Sequence, residues 1–249
     1  MAYRARTRVA LAALSALMAA PAVQAAHPLL TEDTGTQGIG NAELEKSLSW
    51  TRDGADRLFV FQPQLSYGLR PTLDVIVAPS WLAHDPAEGG NSRGFGDTVL
   101  DLKWRFHASE PLSLALRAGA TLPTGEPGLS AGKASTHALL ATTIDGAALT
   151  LHGNLGYVRN AAVPGVRTSL YHVSAAAVVP ASARLSFAAD VAFDSNPDPA
   201  LRSWPGVALI GIICSVRRGL DLDLGVQTRL NRAAPTRQWL AGVTYRWVP

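Results

Sequence analysis

The sequence contains a single cysteine, Cys214, and six histidines among its 249 residues. One thiol cannot close an intramolecular disulfide, so no disulfide framework holds this chain together. The histidines show no paired spacing of the kind that metal sites use, and there is no cysteine cluster. A phosphate-binding loop is missing as well. We therefore expect neither a metal site nor a cofactor, and no energy source within the chain.

Long uncharged apolar runs are equally scarce. The run from Val9 to Ala20 is too short to cross a bilayer as a helix. Arg4, Arg6 and Arg8 precede it, and Val23-Gln-Ala25 ends it in a small-x-small pattern. This arrangement predicts a secretory signal at residues 1–25, cut after about Ala25. No later stretch is both long and free of charge, so we expect an exported chain without a transmembrane helix.

The charge balance disfavours a nucleic-acid partner. The chain has 22 Lys+Arg and 19 Asp+Glu, and its pI of about 9.3 is basic. Three of the basic residues are the signal arginines, and their removal leaves 19 basic side chains against 19 acidic ones. The exported chain is therefore formally neutral, without the excess positive charge that binds nucleic acid.

What the sequence does contain is alternation. From about Gly40 to Trp247, short stretches place an apolar residue at every second position. In the stretch from Asp97 to Phe106, Leu100, Leu102 and Trp104 share one face, and charged side chains share the other. A period of two residues predicts strands.

About twelve such strands follow one another, joined mostly by short turns at one end and longer loops at the other. This layout is typical of an outer-membrane β-barrel, with apolar side chains against lipid and charges in the lumen. We predict an all-β transmembrane barrel of about twelve antiparallel strands at residues 40–249, located in the outer membrane. The alternative is an exported β-sandwich, whose apolar faces would fill a core.

Two features fit this pattern badly. Pro63 lies within a predicted strand, where it removes a ladder hydrogen bond, and we expect a bulge there. The stretches from Tyr171 to Val179 and from Val207 to Val216 are apolar on both faces. Either they contact something apolar inside the lumen, or their predicted register is wrong.

Three stretches resemble a known family. They are Pro28-Leu-Leu-Thr-Glu-Asp-Thr-Gly-Thr-Gln-Gly38 with Gly40-Asn-Ala-Glu-Leu-Glu45, then Gly94-Phe-Gly-Asp-Thr-Val-Leu-Asp-Leu-Lys-Trp104, and Leu122-Pro-Thr-Gly125. The resemblance is to outer-membrane transporters of the "MetA pathway of phenol degradation" family. It implies an outer-membrane β-barrel that passes small, often aromatic or hydrophobic solutes, and it brings no catalytic residues with it.

The charged side chains on the predicted inner face are the candidate selectivity residues. They are Asp97, Asp101, Lys103, Arg105, Arg117, Asp221, Asp223, Arg229 and Arg246. Either they form a charged constriction that selects solutes, or they are ion pairs that only satisfy a polar lumen. The first five sum to one positive charge, so a conducting lumen is predicted to favour anions or solutes with a carboxylate or phenolate. Pairing of the last strand with the first should bring Arg246 near Glu43 or Glu45.

A different class of function has one candidate constellation. His172 and Ser174 lie two residues apart on one strand face, next to Asn154 on the preceding strand, which are the residue types of a Ser-His-Asn hydrolase. Their predicted lumen-facing orientation points away from a phospholipid substrate. We therefore predict no enzyme, with a lipase-like outer-membrane hydrolase or a structural outer-membrane protein as alternatives.

Residues 26–39 are polar and too short for a domain. They are predicted to be either a flexible periplasmic segment or a plug inside the lumen, where the apolar inner faces would give Leu29 and Leu30 somewhere to pack. The prediction as a whole is a channel through which small solutes diffuse. Its expected partners are membrane lipid, a small-molecule solute and the outer-membrane insertion machinery.

Overall fold

A computed structural model describes residues 27–247, which form strands joined by turns and loops. The predicted signal at residues 1–25, with Val248 and Pro249, lies outside the described residues. Within residues 27–247 no helix has the length and apolar character needed to cross a membrane. The strand segments are β1 (Ala42–Asp53), β2 (Asp56–Arg70), β3 (Leu73–Ala78), β4 (Trp81–Asp85), β5 (Ser92–Phe95), β6 (Thr98–Ser109), β7 (Leu112–Leu122), β8 (Ser135–Asp145), β9 (Thr150–Arg159), β10 (Ser169–Pro180), β11 (Leu185–Asp194), β12 (Gly206–Arg217), β13 (Leu220–Arg229) and β14 (Arg237–Trp247).

These segments make a closed barrel of twelve strands. β3 and β4 pair with β2 in one continuous register, so they are a single strand interrupted at residues 79–80. β5 and β6 follow each other along the next strand, interrupted at residues 96–97. Strands adjacent in sequence pair antiparallel, and β14 pairs with β1 to close the sheet. The predicted architecture of about twelve antiparallel strands is confirmed.

The two faces of the wall have the inverted polarity of a membrane barrel. On β6, Leu102 is 50% exposed, whereas its neighbour Asp101 is 2% exposed. The same contrast recurs around the barrel, with Leu65, Leu155 and Ile210 on the exposed surface. An apolar exterior with a charged interior is the arrangement that lipid on one side and a polar lumen on the other require. It excludes the β-sandwich.

The hairpin turns follow the predicted asymmetry. Residues 71–72, 110–111, 146–149, 181–184 and 218–219 connect strands tightly at one end. Residues 86–91, 123–134, 160–168, 195–205 and 230–236 make the longer connections at the other, where the first hairpin at Asp53 is the exception. Aromatic rings cluster towards both ends, as expected of interfacial girdles. The ring contacts are Trp50–Phe59, Phe59–Trp81 and Tyr157–Tyr171 at the long-loop end, and Trp104–Phe106 and Tyr245–Trp247 at the short-turn end.

The bulge predicted at Pro63 is wrong. β2 keeps one register with β1 through the Lys46–Pro63 pair, and on its other side the register with β3 and β4 shifts between Gly68 and Arg70, away from Pro63. The missing N–H is accommodated differently. Opposite Pro63, the neighbouring strand is itself interrupted at residues 79–80, so the ladder has a gap where the proline has no donor.

Residues 27–41, here called the lumen segment, cross the barrel interior without regular secondary structure. Leu29 is buried in a cluster with Ala176, Ala188, Leu209 and Leu240, which lie on the inner faces of β10, β11, β12 and β14. Burying one leucine side chain contributes about 2 kcal/mol. The apolar inner faces of β10 and β12 therefore contact the lumen segment, and the predicted alternation of these strands is correct.

Candidate functional site in the barrel lumen

Two cations lie side by side on the inner wall. Lys103 on β6 and Arg117 on β7 are directly opposite each other in the strand register, and both are buried. Strand periodicity explains the placement, because inward-facing positions alternate with outward-facing ones on both strands. Two like charges this close repel each other unless carboxylates lie between them.

One carboxylate comes from the wall itself. Asp101 accepts a hydrogen bond from Arg117 Nε at 2.6 Å, and its other oxygen lies 2.6 Å from His137 Nε2. Arg117 also donates to Gln64 Oε1 at 3.0 Å, and Gln64 in turn donates to Glu45 at 2.5 Å. The guanidinium is therefore held in orientation by side chains on β6 and β2.

The second carboxylate comes from the lumen segment. Glu32 is only 4% exposed, and it places one oxygen 2.6 Å from Lys103 Nζ and the other 2.7 Å from Arg117 NH1. Asp33 adds a contact of 3.0 Å to the same lysine. Two wall cations thus hold two carboxylates of the lumen segment.

Inward-facing polar side chains of the wall bind the backbone of the lumen segment. Asp190 accepts from the N–H groups of Leu30 and Thr31 at 2.7 and 2.8 Å. Asn154 makes a reciprocal pair with Glu32, accepting from its N–H at 2.6 Å and donating to its carbonyl at 2.9 Å. These bonds satisfy backbone groups that the segment, lacking secondary structure, cannot satisfy itself.

The two ends of the lumen segment are held in the same way. Gln37 N–H donates to Asp74 at 2.9 Å, and the ring of His27 contacts the carboxylate of Asp223. A close backbone approach also requires glycine, because a Cβ on Gly68 would overlap the carbonyl oxygen of Gly38. Sequence analysis missed the anchoring roles of Asp74 and Asp190. Both are carboxylates at inward-facing strand positions, which is the signal that the sequence offers.

A polar cavity of about 240 Å³ separates the lumen segment from the wall formed by β1, β2 and β3. The acidic side chains that line it are Glu32, Asp33, Glu43, Glu45 and Asp74, and the basic ones are Lys103 and Arg246. Arg246 Nε lies 2.6 Å from Glu43, and its NH1 lies 2.5 Å from Asp221. The pairing of β14 with β1 thus places Arg246 beside Glu43, as the closed register requires.

The predicted selectivity residues do not form one group. Asp101, Lys103 and Arg117 meet at the centre of the site. Asp97 lies in the interruption between β5 and β6, where it accepts from the N–H groups of Gly125 and Ala131 and holds a long loop in place. The prediction that Asp97 belongs to the charged patch is wrong, because Asp97 lies outside β6, which begins at Thr98.

The remaining candidates are spread along the barrel. Arg105 is half-buried, and its Nε has no hydrogen-bond partner among the described residues. Arg229 is exposed at the far end of β13 from Asp221, so the predicted grouping of Arg229 with Arg246 is wrong. The predicted excess of one positive charge rested on five residues and omitted the five carboxylates around the polar cavity.

The hydrolase constellation is only partly assembled. His172 Nε2 lies 3.0 Å from Ser174 Oγ, but the carboxylate beside His172 Nδ1 belongs to Asp194, at 2.8 Å. Asn154 does not contact this histidine nitrogen, because it binds the backbone of Glu32 instead. The predicted role of Asn154 as the third member is therefore wrong.

A second cavity lies on the outer surface of the barrel. This apolar groove of about 590 Å³ is lined by exposed side chains that include Phe187, Ile210, Leu224 and Trp239. In a membrane barrel these residues face acyl chains. Among residues 27–247, no group of three or more histidine, cysteine or acidic side chains is arranged to hold a metal ion.

Solved structures with similar folds are outer-membrane barrels. A NanC porin aligns with a TM-score of 0.63 at 8% identity, over 82% of this chain and 100% of its own. An outer membrane channel from Pseudomonas putida F1 aligns with a TM-score of 0.70 at 12% identity, over 86% of this chain and 98% of its own. The KdgM porin in complex with disordered oligogalacturonate aligns with a TM-score of 0.56 at 9% sequence identity, over 83% of this chain and 99% of its own. Likeness at these identities concerns the fold alone.

Comparison with curated protein sequences finds no match. A family model, in contrast, covers most of the chain, from residue 33 to residue 247. Its span begins within the lumen segment and ends at the last residue of β14. The match therefore includes residues 33–41 of that segment together with the whole barrel. The chain belongs to the family described as "Putative MetA-pathway of phenol degradation".

Proposed function

We propose that this protein is an outer-membrane channel through which small amphipathic solutes, with an apolar or aromatic part and a negative charge, diffuse down their gradient. The proposal rests on one observation. One wall of the lumen carries charged side chains and the opposite wall is apolar. Lys103 and Arg117 place two buried cations on one wall, whereas Ala176, Ala188 and Leu209 make the opposite wall apolar. An apolar wall gives the apolar or aromatic part of such a solute a surface to pack against.

The relatives in fold support a channel. Two of them are porins and the third is an outer membrane channel, and the chain covers nearly the full length of each. Reconstitution into planar bilayers tests the proposal. We expect discrete current steps from the purified barrel, and a structural outer-membrane protein without a conducting lumen would give none.

Ion selectivity provides a sharper prediction. Replacing both acidic residues by amides, Glu32→Gln with Asp33→Asn, removes two negative charges that now neutralise Lys103. We expect the chloride-to-potassium permeability ratio to rise by about twofold or more, because the loss of two negative charges makes the lumen around Lys103 less negative. The reversal potential in a salt gradient measures this ratio. Glu88→Gln in an exposed outer loop is the matched control. An unchanged ratio would mean that ions do not pass this site.

The hydrolase remains the competing function because His172 contacts both Ser174 and Asp194. Two observations argue against it. The side chain of Ser174 is buried, with 6% of the residue exposed. The backbone around it pairs with β9 and β11 on both sides, which commits its N–H groups to strand ladders rather than to an oxyanion.

We therefore expect the purified protein and its Ser174→Ala variant to show the same background hydrolysis of p-nitrophenyl esters and of phospholipids in detergent. A wild-type rate above background that Ser174→Ala abolishes would establish the hydrolase. His84→Ala, which changes a histidine outside the constellation, controls for nonspecific effects of altering the barrel.

A further inference from the structure

We propose that Lys103 and Arg117 form a carboxylate-binding subsite for the transported solute, and that Glu32 occupies this subsite as an intramolecular substitute. The inference rests on the proposed channel function and names the solute class as carboxylates joined to an apolar or aromatic group. The two oxygens of Glu32 engage the two cations separately, at 2.6 and 2.7 Å, as a free carboxylate would.

Charge compensation explains why the subsite needs an anion. Among residues 27–247, the carboxylates within ion-pair distance of Lys103 are those of Glu32 and Asp33, whereas Arg117 also pairs with Asp101 of the wall. When Glu32 and Asp33 leave, the buried Lys103 loses both of these ion pairs. Buried charges are strongly disfavoured unless they are paired. Withdrawal of the lumen segment is therefore favoured when another anion takes its place.

The lumen segment also indicates the shape of the solute. Leu29 packs on the apolar wall, and Glu32, three residues later, binds the cations. Three residues of extended chain span roughly 10 Å at most. An aryl or alkyl carboxylate of about that length would contact both walls at once. A short carboxylate would bind only the cations, and a neutral alcohol of equal length would leave them unpaired.

The first experiment empties the subsite and refills it. Glu32→Ala should lower the midpoint of thermal unfolding, followed by heat-modifiable migration on gels, by on the order of 5 to 10 °C. Sodium acetate should restore most of the loss, whereas sodium chloride at equal ionic strength and ethanol should restore little. Glu88→Ala, an exposed loop variant, should show neither the loss nor the rescue.

Failure of this experiment has a definite meaning. If Glu32→Ala protein is as destabilised in acetate as in chloride, the cations do not form a carboxylate site. If Glu32→Ala does not fold, the isosteric variant Glu32→Gln is titrated with sodium acetate instead. If its midpoint of thermal unfolding then does not rise, the proposal is overturned. Neither measurement depends on conduction. An acetate-bound but non-conducting barrel would contradict the channel and leave the subsite standing.

A second experiment tests displacement of the lumen segment by the solute class. Thr31 is fully buried, and its hydroxyl donates to Asp190 at 3.0 Å. In a Cys214→Ser background, Thr31→Cys places a thiol that a maleimide reaches only when the segment moves. We expect 4-phenylbutyrate to raise the labelling rate by on the order of tenfold, with little effect from 4-phenylbutanol. An equal rate with the acid and the alcohol, or no change with either, would overturn the assigned solute class.

Discussion

Deletion of residues 27–37 should raise the single-channel conductance of the reconstituted barrel by on the order of several-fold. These residues cross the lumen from the Asp223 side of the wall to the Asp74 side. Twelve strands enclose a narrower lumen than the 16 to 18 of general porins, so one peptide chain fills a large part of its cross-section. The measurement is the current step in planar bilayers at fixed salt and voltage.

This experiment needs a control deletion and a check that the barrel folds. Removal of residues 88–91 from the exposed loop between β4 and β5 is the control, because it shortens the chain without touching the segment that binds Lys103 and Arg117. The deletion protein must retain heat-modifiable migration, which shows that the barrel still closes. A folded deletion protein with wild-type conductance would show that ions bypass the lumen segment.

Arg117→Ala should be the most destabilising single substitution in the lumen. It removes the partner of Asp101 and of one oxygen of Glu32, and it leaves both carboxylates buried. Breaking a buried ion pair by removing one partner costs about 3 to 5 kcal/mol. Equilibrium unfolding in urea, followed by tryptophan fluorescence in lipid vesicles, measures the loss as a lower free energy of unfolding.

The matched control is Arg229→Ala, which removes the same side chain from an exposed position at the end of β13. Its effect should stay within about 0.5 kcal/mol. The double variant Glu32→Ala with Arg117→Ala should lose less than the sum of the two single losses, because each single change leaves the other charge unpaired. Strictly additive losses, or a small effect of Arg117→Ala alone, would contradict the importance of this ion pair.

The barrel could be predicted from the sequence because the residue pattern that specifies each strand lies within a few consecutive positions. A strand exposes every second residue to lipid, so Leu100, Leu102 and Trp104 alternate with lumen-facing charges along a few consecutive positions. The antiparallel order follows from short connections between neighbours. The sequence places Lys103 and Arg117 on adjacent strands, whereas their direct pairing depends on a register shift between Arg105 and His107.

The errors arose where backbone details interrupt that pattern. Pro63 suggested a bulge, but the interruption at residues 79–80 on the next strand accommodates the missing donor. Asp97 was assigned to the lumen because it continues the alternation of Asp101 and Lys103, but the strand breaks between them and Asp97 binds a loop. A pattern of alternating residues does not show where a ladder stops.

By itself, the sequence determined the strands, the inversion of polarity and the apolar inner faces that required a partner. Only the tertiary structure decided what that partner is and which carboxylate meets which cation. Glu32 is separated from Lys103 by 71 residues and from Arg117 by 85, and it reaches them because the lumen segment crosses a closed barrel. Local periodicity carries no information about such distant pairs. Charge complementarity and apolar burial select them once the wall has closed.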